Sequence, residues 1–341
     1  MVLGAHCEYT TGFPDALATP FRWLFDSSLG VRFFFVISGF LITWLMLLEH
    51  DRYGRVSLRA FYARRALRIL PVYYGFLLTV AVLQWLTPFS QGIRGWLANL
   101  TFTTNFIDSE FTTDHLWSLS TEEQFYFLWP GLFVLCAIAS NRRRALALLA
   151  VPVLAAPFCR VLGYKPYVAF LYPLMRHFSF FCFFDSLAIG CATAIILARN
   201  RELIRERLES HPRRFLTVGT TLVLVPYILE KLRAVRPLMV PFGQSSQALG
   251  FALLLLLSIL YPRWGAFRAL NWRWVCRIGV LSYSIYIWQQ LFCTAPGTFG
   301  LEPAWWLSFP GWLVAAFVVS SVSYYGFERP FLRLRARLRR A

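Results

Sequence analysis

Long apolar runs, separated by short polar connections, fill most of the chain. A helix needs about 20 mostly apolar residues to cross the hydrocarbon layer of a bilayer. Stretches of that kind recur at approximately 30–48, 67–87, 122–140, 145–160, 179–198, 215–230, 247–262, 278–295 and 305–327. The pattern predicts an all-α, polytopic transmembrane helix bundle. Pro71, Pro130, Pro152 and Pro226 fall within or near these runs, which membrane helices tolerate because neighbouring groups re-satisfy the freed backbone. No linker, repeat or low-complexity tract interrupts the series. Residues 1–341 are therefore expected to form a single transmembrane domain.

Composition supports this pattern. Hydrophobic residues make up 57% of the 341 positions and charged residues only 15%, against about 25% in a soluble domain. The formal net charge is nevertheless +17. Such a charge suggests a nucleic-acid partner, but the basic residues are spread over several loops without a DNA-reading motif. Sorted by alternate connections, 25 Lys and Arg fall on one side of the predicted membrane and seven on the other. The richer side holds the clusters Arg52–Arg68, Arg142–Arg144, Arg199–Arg214, Arg263–Arg277 and the arginines of the tail. The poorer side holds Arg94, then Arg160, Lys165 and Arg176, then Lys231, Arg233 and Arg236. Basic residues collect in cytoplasmic loops, so the richer side, with the C-terminus, is expected in the cytoplasm. The expected location is an inner (plasma) membrane, crossed many times. Met1–Thr10 is too short to cross, since ten helical residues reach about 15 Å, and no signal peptide is visible. The chain is expected to begin partway through a helix, making about ten helices with the first one truncated. The seven cysteines lie singly with no CxxC pair, which fits buried free thiols and suggests neither disulfide nor zinc.

Three polar clusters sit where a bilayer makes polarity costly. His6, beside Cys7 and Glu8, is placed to act as a general base or simply to cap the interfacial end of a helix. Arg64, Arg65 and Arg68 precede Ile69-Leu70-Pro71. Arg65 and Arg68 share a helix face, and their forked guanidinium groups suit phosphates. A basic cluster touching lipid headgroups is the alternative. The third cluster is His115-Leu116-Trp117-Ser118-Leu119-Ser120-Thr121-Glu122-Glu123-Gln124. Ser120 and Glu123 match a capping box, which accounts for one acid but not for two acids and Gln124 leading into an apolar helix. Ser38-Gly39-Phe40 reads as a close-packing site for helices. Asp185 is a lone acid with a functional or a pairing role. Ser282–Gln290 carries polar groups through a span and could line a cavity. No Walker loop, GxSxG elbow or HExxH motif is present.

Five segments in order resemble the integral-membrane acyltransferase family 3, bacterial enzymes that O-acylate surface polysaccharides. They are Gly30–Thr43, Phe61–Tyr74, His115–Pro130, Leu281–Gln290 and Glu328–Leu334, and they reach from end to end of the chain. The resemblance implies ten helices, an acyl-coenzyme A (acetyl-CoA) donor on the cytoplasmic side and a carbohydrate acceptor on the other. The residues themselves suggest no metal and no nucleic acid; the lipid bilayer is the other expected partner. His6 aligns with the family's histidine, whose companion arginine, eleven residues earlier, would lie upstream of Met1. Glu122 aligns with the glutamate of the family's WSLxxE pattern, and Arg65 and Arg68 with arginines that meet the donor. Arg32 and Gln289 stand where relatives differ, and neither takes a role.

The resemblance leads to one expected reaction: O-acyl transfer from acyl-coenzyme A to a sugar hydroxyl of a cell-surface or secreted carbohydrate. His6 would accept the hydroxyl proton or relay the acyl group, Glu122 would orient or charge-stabilise it, and Arg65 and Arg68 would hold donor phosphates. Trp117, Ser118 and Tyr283 are the candidate substrate-binding residues. Two alternatives stay open: a transporter or flippase of acyl groups or glycans, and an inactive truncated copy.

Overall fold

The structure is a computed structural model that describes residues 1–7, 10–107, 109–164, 179–302 and 304–338. Glu8, Asp108, Lys165, Arg176, Arg339 and Arg340 lie outside the described residues. Among the described residues there is no strand, only an isolated bridge between Thr11 and Ser308. Each predicted apolar run contains helix, although the helix of the 122–140 run starts earlier, at Leu116, and ends at Leu135. Five stretches are long and apolar enough to cross a membrane: Asp15–Tyr53, Leu58–Leu86, Arg142–Gly163, Phe180–Arg199 and Arg236–Leu260. These are the features of a multi-pass membrane protein. The physical cause is the lack of water in the hydrocarbon layer: each segment must satisfy its own backbone groups, and a helix does so locally.

The chain forms two compact units, each assembled from separate parts of the sequence. The first comprises Met1–Ser28, Ser57–Leu116 and Trp272–Ala341. Its long helices are Leu58–Leu86 and Arg273–Cys293, the first opened by Ser57, whose hydroxyl accepts from the Ala60 N–H. The short Val2–Cys7 helix packs against Arg273–Cys293. There Cys7, Cys293, Trp312 and Ala316 form a buried cluster. The run predicted as one span over 305–327 is more broken. A 3-10 turn, Trp305–Leu307, precedes the α-helix Gly311–Val322, which then widens into a π-turn, Ser323–Glu328.

The second unit comprises Leu29–Val56 and Trp117–Asn271. Here the Ser27–Tyr53 and Phe180–Arg199 helices touch through their backbones. A Cβ on Gly39 would overlap the Leu187 carbonyl, and one on Gly190 would overlap the Val36 carbonyl. Small residues allow this approach, which lets dispersion replace the hydrophobic drive that a bilayer does not supply. The Pro212–Lys231 and Arg236–Leu260 helices pack the same way at Gly219 and Gly250. All seven cysteines are free, and five of them are buried.

Candidate functional site

In the first unit, the Val2–Cys7 helix carries His6. Its Nδ1 is buried and has no hydrogen-bond partner among the described residues. The ring lies 6.4 Å from that of Phe111, centroid to centroid. Phe111 in turn lines a cavity of about 310 Å³, together with Glu110, Thr112, Cys293, Thr294 and Thr298. Hydroxyls, one carboxylate and two aromatic rings, those of Phe111 and Phe89, form a lining of the kind that hydrogen-bonds a polyol and stacks on its apolar face. Gln290, from the Arg273–Cys293 helix, fixes this corner by donating to the Phe111 carbonyl at 2.8 Å. Its neighbour Gln289 is fully buried, and its amide has no partner among the described residues.

His115 stands close enough to His6 for the two to interact electrostatically. It is the last residue before the Leu116–Leu135 helix. Its Nε2–H donates to the Ile287 carbonyl at 3.2 Å, and its own carbonyl accepts from the Tyr286 hydroxyl at 2.8 Å. Phe76 meets the ring edge-on at 5.5 Å. Burial, and secondarily His6, push the His115 imidazole down to about 3, with the Ile287 bond opposing. It therefore stays neutral near pH 7. The sign of the consequence is fixed. Unfolded His115 binds its proton near 6.5 and the folded form only near 3, so the unfolded state holds more protons between these values and stability rises with pH across that window. The melting temperature of detergent-solubilised protein is expected to drop as pH goes from 6.5 towards 3. In His115→Asn that acid dependence should be shallower.

Arg65 and Arg68 lie near the start of the Leu58–Leu86 helix. Arg65 is half-buried and Arg68 exposed. Arg68 stands within electrostatic reach of Glu328. One Glu328 oxygen accepts from Ser284 at 2.7 Å and from Ser323 at 2.9 Å. The π-turn brings Ser323 and Glu328 to this point. Tyr283 belongs to the same end of the unit, where its hydroxyl donates to the Ile69 carbonyl at 3.1 Å, one residue from Arg68. Phe76, at the His115 end, is eight residues further along the same helix, a rise of about 12 Å.

In the second unit, Glu122 is 2% exposed and lies on the Leu116–Leu135 helix. Its Oε1 accepts from the Ser38 hydroxyl at 2.7 Å and, closely, from the Tyr126 hydroxyl one turn further on. The capping-box expectation does not hold. The helix starts at Leu116, so Ser120 is already inside it, and its buried hydroxyl has no described partner. Ser38 is more than a packing residue, because it is a donor to Glu122. Trp117 is buried, edge-on to Phe35 at 6.3 Å and tilted against Phe183 at 5.1 Å; Ser118 is buried beside it. Asp185 has the pairing role: it meets Arg160 at 2.6 Å with both side chains out of solvent.

The model of the family described as an acyltransferase domain matches residues 1–325. The chain belongs to that family. The peptidoglycan O-acetyltransferase OatA of Listeria monocytogenes is 25% identical over 91% of this chain and 52% of its own length. YrhL of Bacillus subtilis, provisionally named as a peptidoglycan O-acetyltransferase, is 26% identical over 91% of the chain and 51% of its own. The chain thus spans about half the length of these curated relatives. No solved structure matches it.

Within this acyltransferase domain, His6 is brought to a cavity-lining ring in one unit, and Arg65, Arg68 and Tyr283 gather at one end of the same unit. Glu122, Trp117 and Ser118 belong to the other unit. From the sequence His115 stands out only as the start of a polar cluster, Ser38 only as a packing residue and Glu328 only as part of a family-like segment. Among the described residues no group of three His, Cys, Asp or Glu is placed to hold a metal ion.

Proposed function

We propose that the protein transfers an acetyl group from acetyl-coenzyme A to a hydroxyl of a cell-wall carbohydrate of the peptidoglycan type. One observation carries this: the unpartnered His6 nitrogen next to Phe111, an aromatic wall of a hydroxyl-lined cavity. His6 takes the proton from a sugar hydroxyl as the oxygen attacks the thioester carbonyl. The new C–O bond forms, the C–S bond breaks, and the thiolate leaves as free coenzyme A after accepting that proton. A positioned base of this kind contributes about 10² to 10⁴ in rate. Arg65 and Arg68 hold donor phosphates through charge-assisted hydrogen bonds. Glu328, held by Ser284 and Ser323, steadies Arg68. The rise of about 12 Å between Arg68 and Phe76 is a gap that the donor's pantetheine arm crosses and a side chain cannot.

Glu122 supplies a second functional acid, oriented by Ser38 and Tyr126, and Trp117 and Ser118 belong to its acceptor-facing segment. The protein sits in the plasma membrane as one functional domain, with the arginine-rich loops and C-terminus in the cytoplasm. The names of the relatives support the acceptor class, and the loop charges support the orientation.

The test is transfer of radiolabel from acetyl-coenzyme A to glycan by membranes carrying the protein. Label above that of vector membranes is expected. Arg65→Ala with Arg68→Ala should raise the donor KM about tenfold or more with a smaller change in kcat, the pattern of lost ground-state binding. No transfer, or an unchanged donor KM, would remove the respective part of the mechanism.

A further inference from the structure

The second unit contains a cavity of its own, about 240 Å³, with Arg160, Glu230, Arg233, Arg236 and Gln244 in its wall. It is smaller than the roughly 300–1,000 Å³ pockets of drug-sized ligands, and suits a single sugar ring better than a chain. We propose that this cavity is a second binding site, and that it takes a carboxylate-bearing sugar unit of the acceptor glycan. The inference rests on the carbohydrate acceptor proposed above and adds its charge.

Four observations lead there. First, Arg160 is preorganised. It is 5% exposed and donates to the Cys182 carbonyl at 2.9 Å, the Pro241 carbonyl at 2.9 Å and the Ser245 hydroxyl at 2.8 Å, while Asp185 faces it at 2.6 Å. A guanidinium has five N–H groups, one more than these four partners use. Second, Gln244 is 7% exposed and its Oε1 accepts no hydrogen bond among the described residues. A buried acceptor left this way is destabilising, and a ligand hydroxyl would satisfy it. Third, the carboxylates nearby already face buried arginines. Asp185 faces Arg160, and Glu230 faces Arg32 at 3.7 Å. The wall itself holds Arg160, Arg233 and Arg236 against the single carboxylate of Glu230, and is net positive. The turn that presents them is built with left-handed backbone at Arg233 (φ 53°) and Val235 (φ 48°), which is uncommon for a β-branched residue.

The fourth observation is the place of these charges in the sequence. Lys231, Arg233 and Arg236 cluster in one turn on the side of the chain that is otherwise poor in basic residues. The positive-inside rule gives no reason for them there. Recognition of an anion does, since a guanidinium fork matches a carboxylate with two hydrogen bonds. A hydroxyl donor to Gln244 together with a carboxylate to the arginines defines a uronic-acid-like ligand. A bare anion would leave Gln244 unsatisfied.

The experiment is a ligand-observed NMR titration of the full-length protein in phosphatidylcholine nanodiscs with glucuronic acid, glucose and inorganic phosphate. Glucuronate is expected to bind about tenfold or more tightly than glucose, and Arg233→Ser with Arg236→Ser to remove about that factor. Gln244→Leu should weaken glucuronate without making glucose bind better. Equal binding of glucose and glucuronate overturns the proposal, as does an unchanged affinity in the double arginine variant. So does phosphate displacing glucuronate at equal concentration, which would mark a simple anion site. Loss of glucuronate binding when phosphatidylglycerol replaces phosphatidylcholine would assign the cavity to a lipid headgroup and overturn it too. The titration contains no acyl donor, so a failure of acyl transfer and a failure of this site are read separately.

Discussion

Replacing His6 by alanine is expected to lower acetyl transfer by about 10² to 10⁴, the contribution of a positioned general base, with little change in folded yield. The two parts of the expectation have separate reasons. The side chain makes no hydrogen bond that its removal would leave broken: its Nδ1 has no partner among the described residues. Its ring contact with Phe111 is a loose one, 6.4 Å between centroids. The helix that carries it is held by Cys7 in the buried cluster with Cys293 and Trp312, which the substitution leaves alone. A histidine that merely ended a helix at the interface would show neither effect on transfer nor any dependence on the replacement. The comparison is initial transfer rate against detergent melting temperature for wild type and His6→Ala. An unchanged rate removes His6 from the chemistry. A collapse of both quantities together would make it a structural residue instead.

The largest expected loss of stability lies in the other unit, at Arg160 and Asp185. Asp185→Leu should destabilise the protein by about 3–5 kcal/mol, because it leaves the Arg160 guanidinium buried without its counter-charge. The two side chains are 3% and 0% exposed and 2.6 Å apart. Asp185 is further tied down by the Ser245 hydroxyl at 2.5 Å and the Ser186 N–H at 2.8 Å. Losing one charge is worse than losing both. Arg160→Met combined with Asp185→Leu should be more stable than Asp185→Leu alone, since apolar replacement of a whole buried pair is often neutral or better. Detergent or denaturant unfolding of the four proteins in the cycle measures the coupling. If the double variant is as unstable as the sum of the singles, the pair is not coupled and the two residues act through their other hydrogen bonds.

The sequence by itself determined the helical segments, because a chain in hydrocarbon must satisfy its backbone locally and the length of each apolar run is then a direct physical requirement. The family was equally legible, in short segments such as His115–Pro130 and Phe61–Tyr74. So was the fact that Asp185 needed a reason to be in a span. The tertiary structure alone decided what each polar residue meets. Ser38 and Glu122 are 84 positions apart, and Tyr283 and Ile69 are 214 apart. Apolar periodicity fixes neither pairing, since helices in a bundle are rotated into register by packing between small residues such as Gly39 and Gly190. The Leu116–Leu135 helix starts ahead of its apolar run for a related reason. Trp117 is drawn into the helix by burial against Phe35 and Phe183, and Ser118 is buried with it, so tertiary contact outweighs the local capping preference of Ser120.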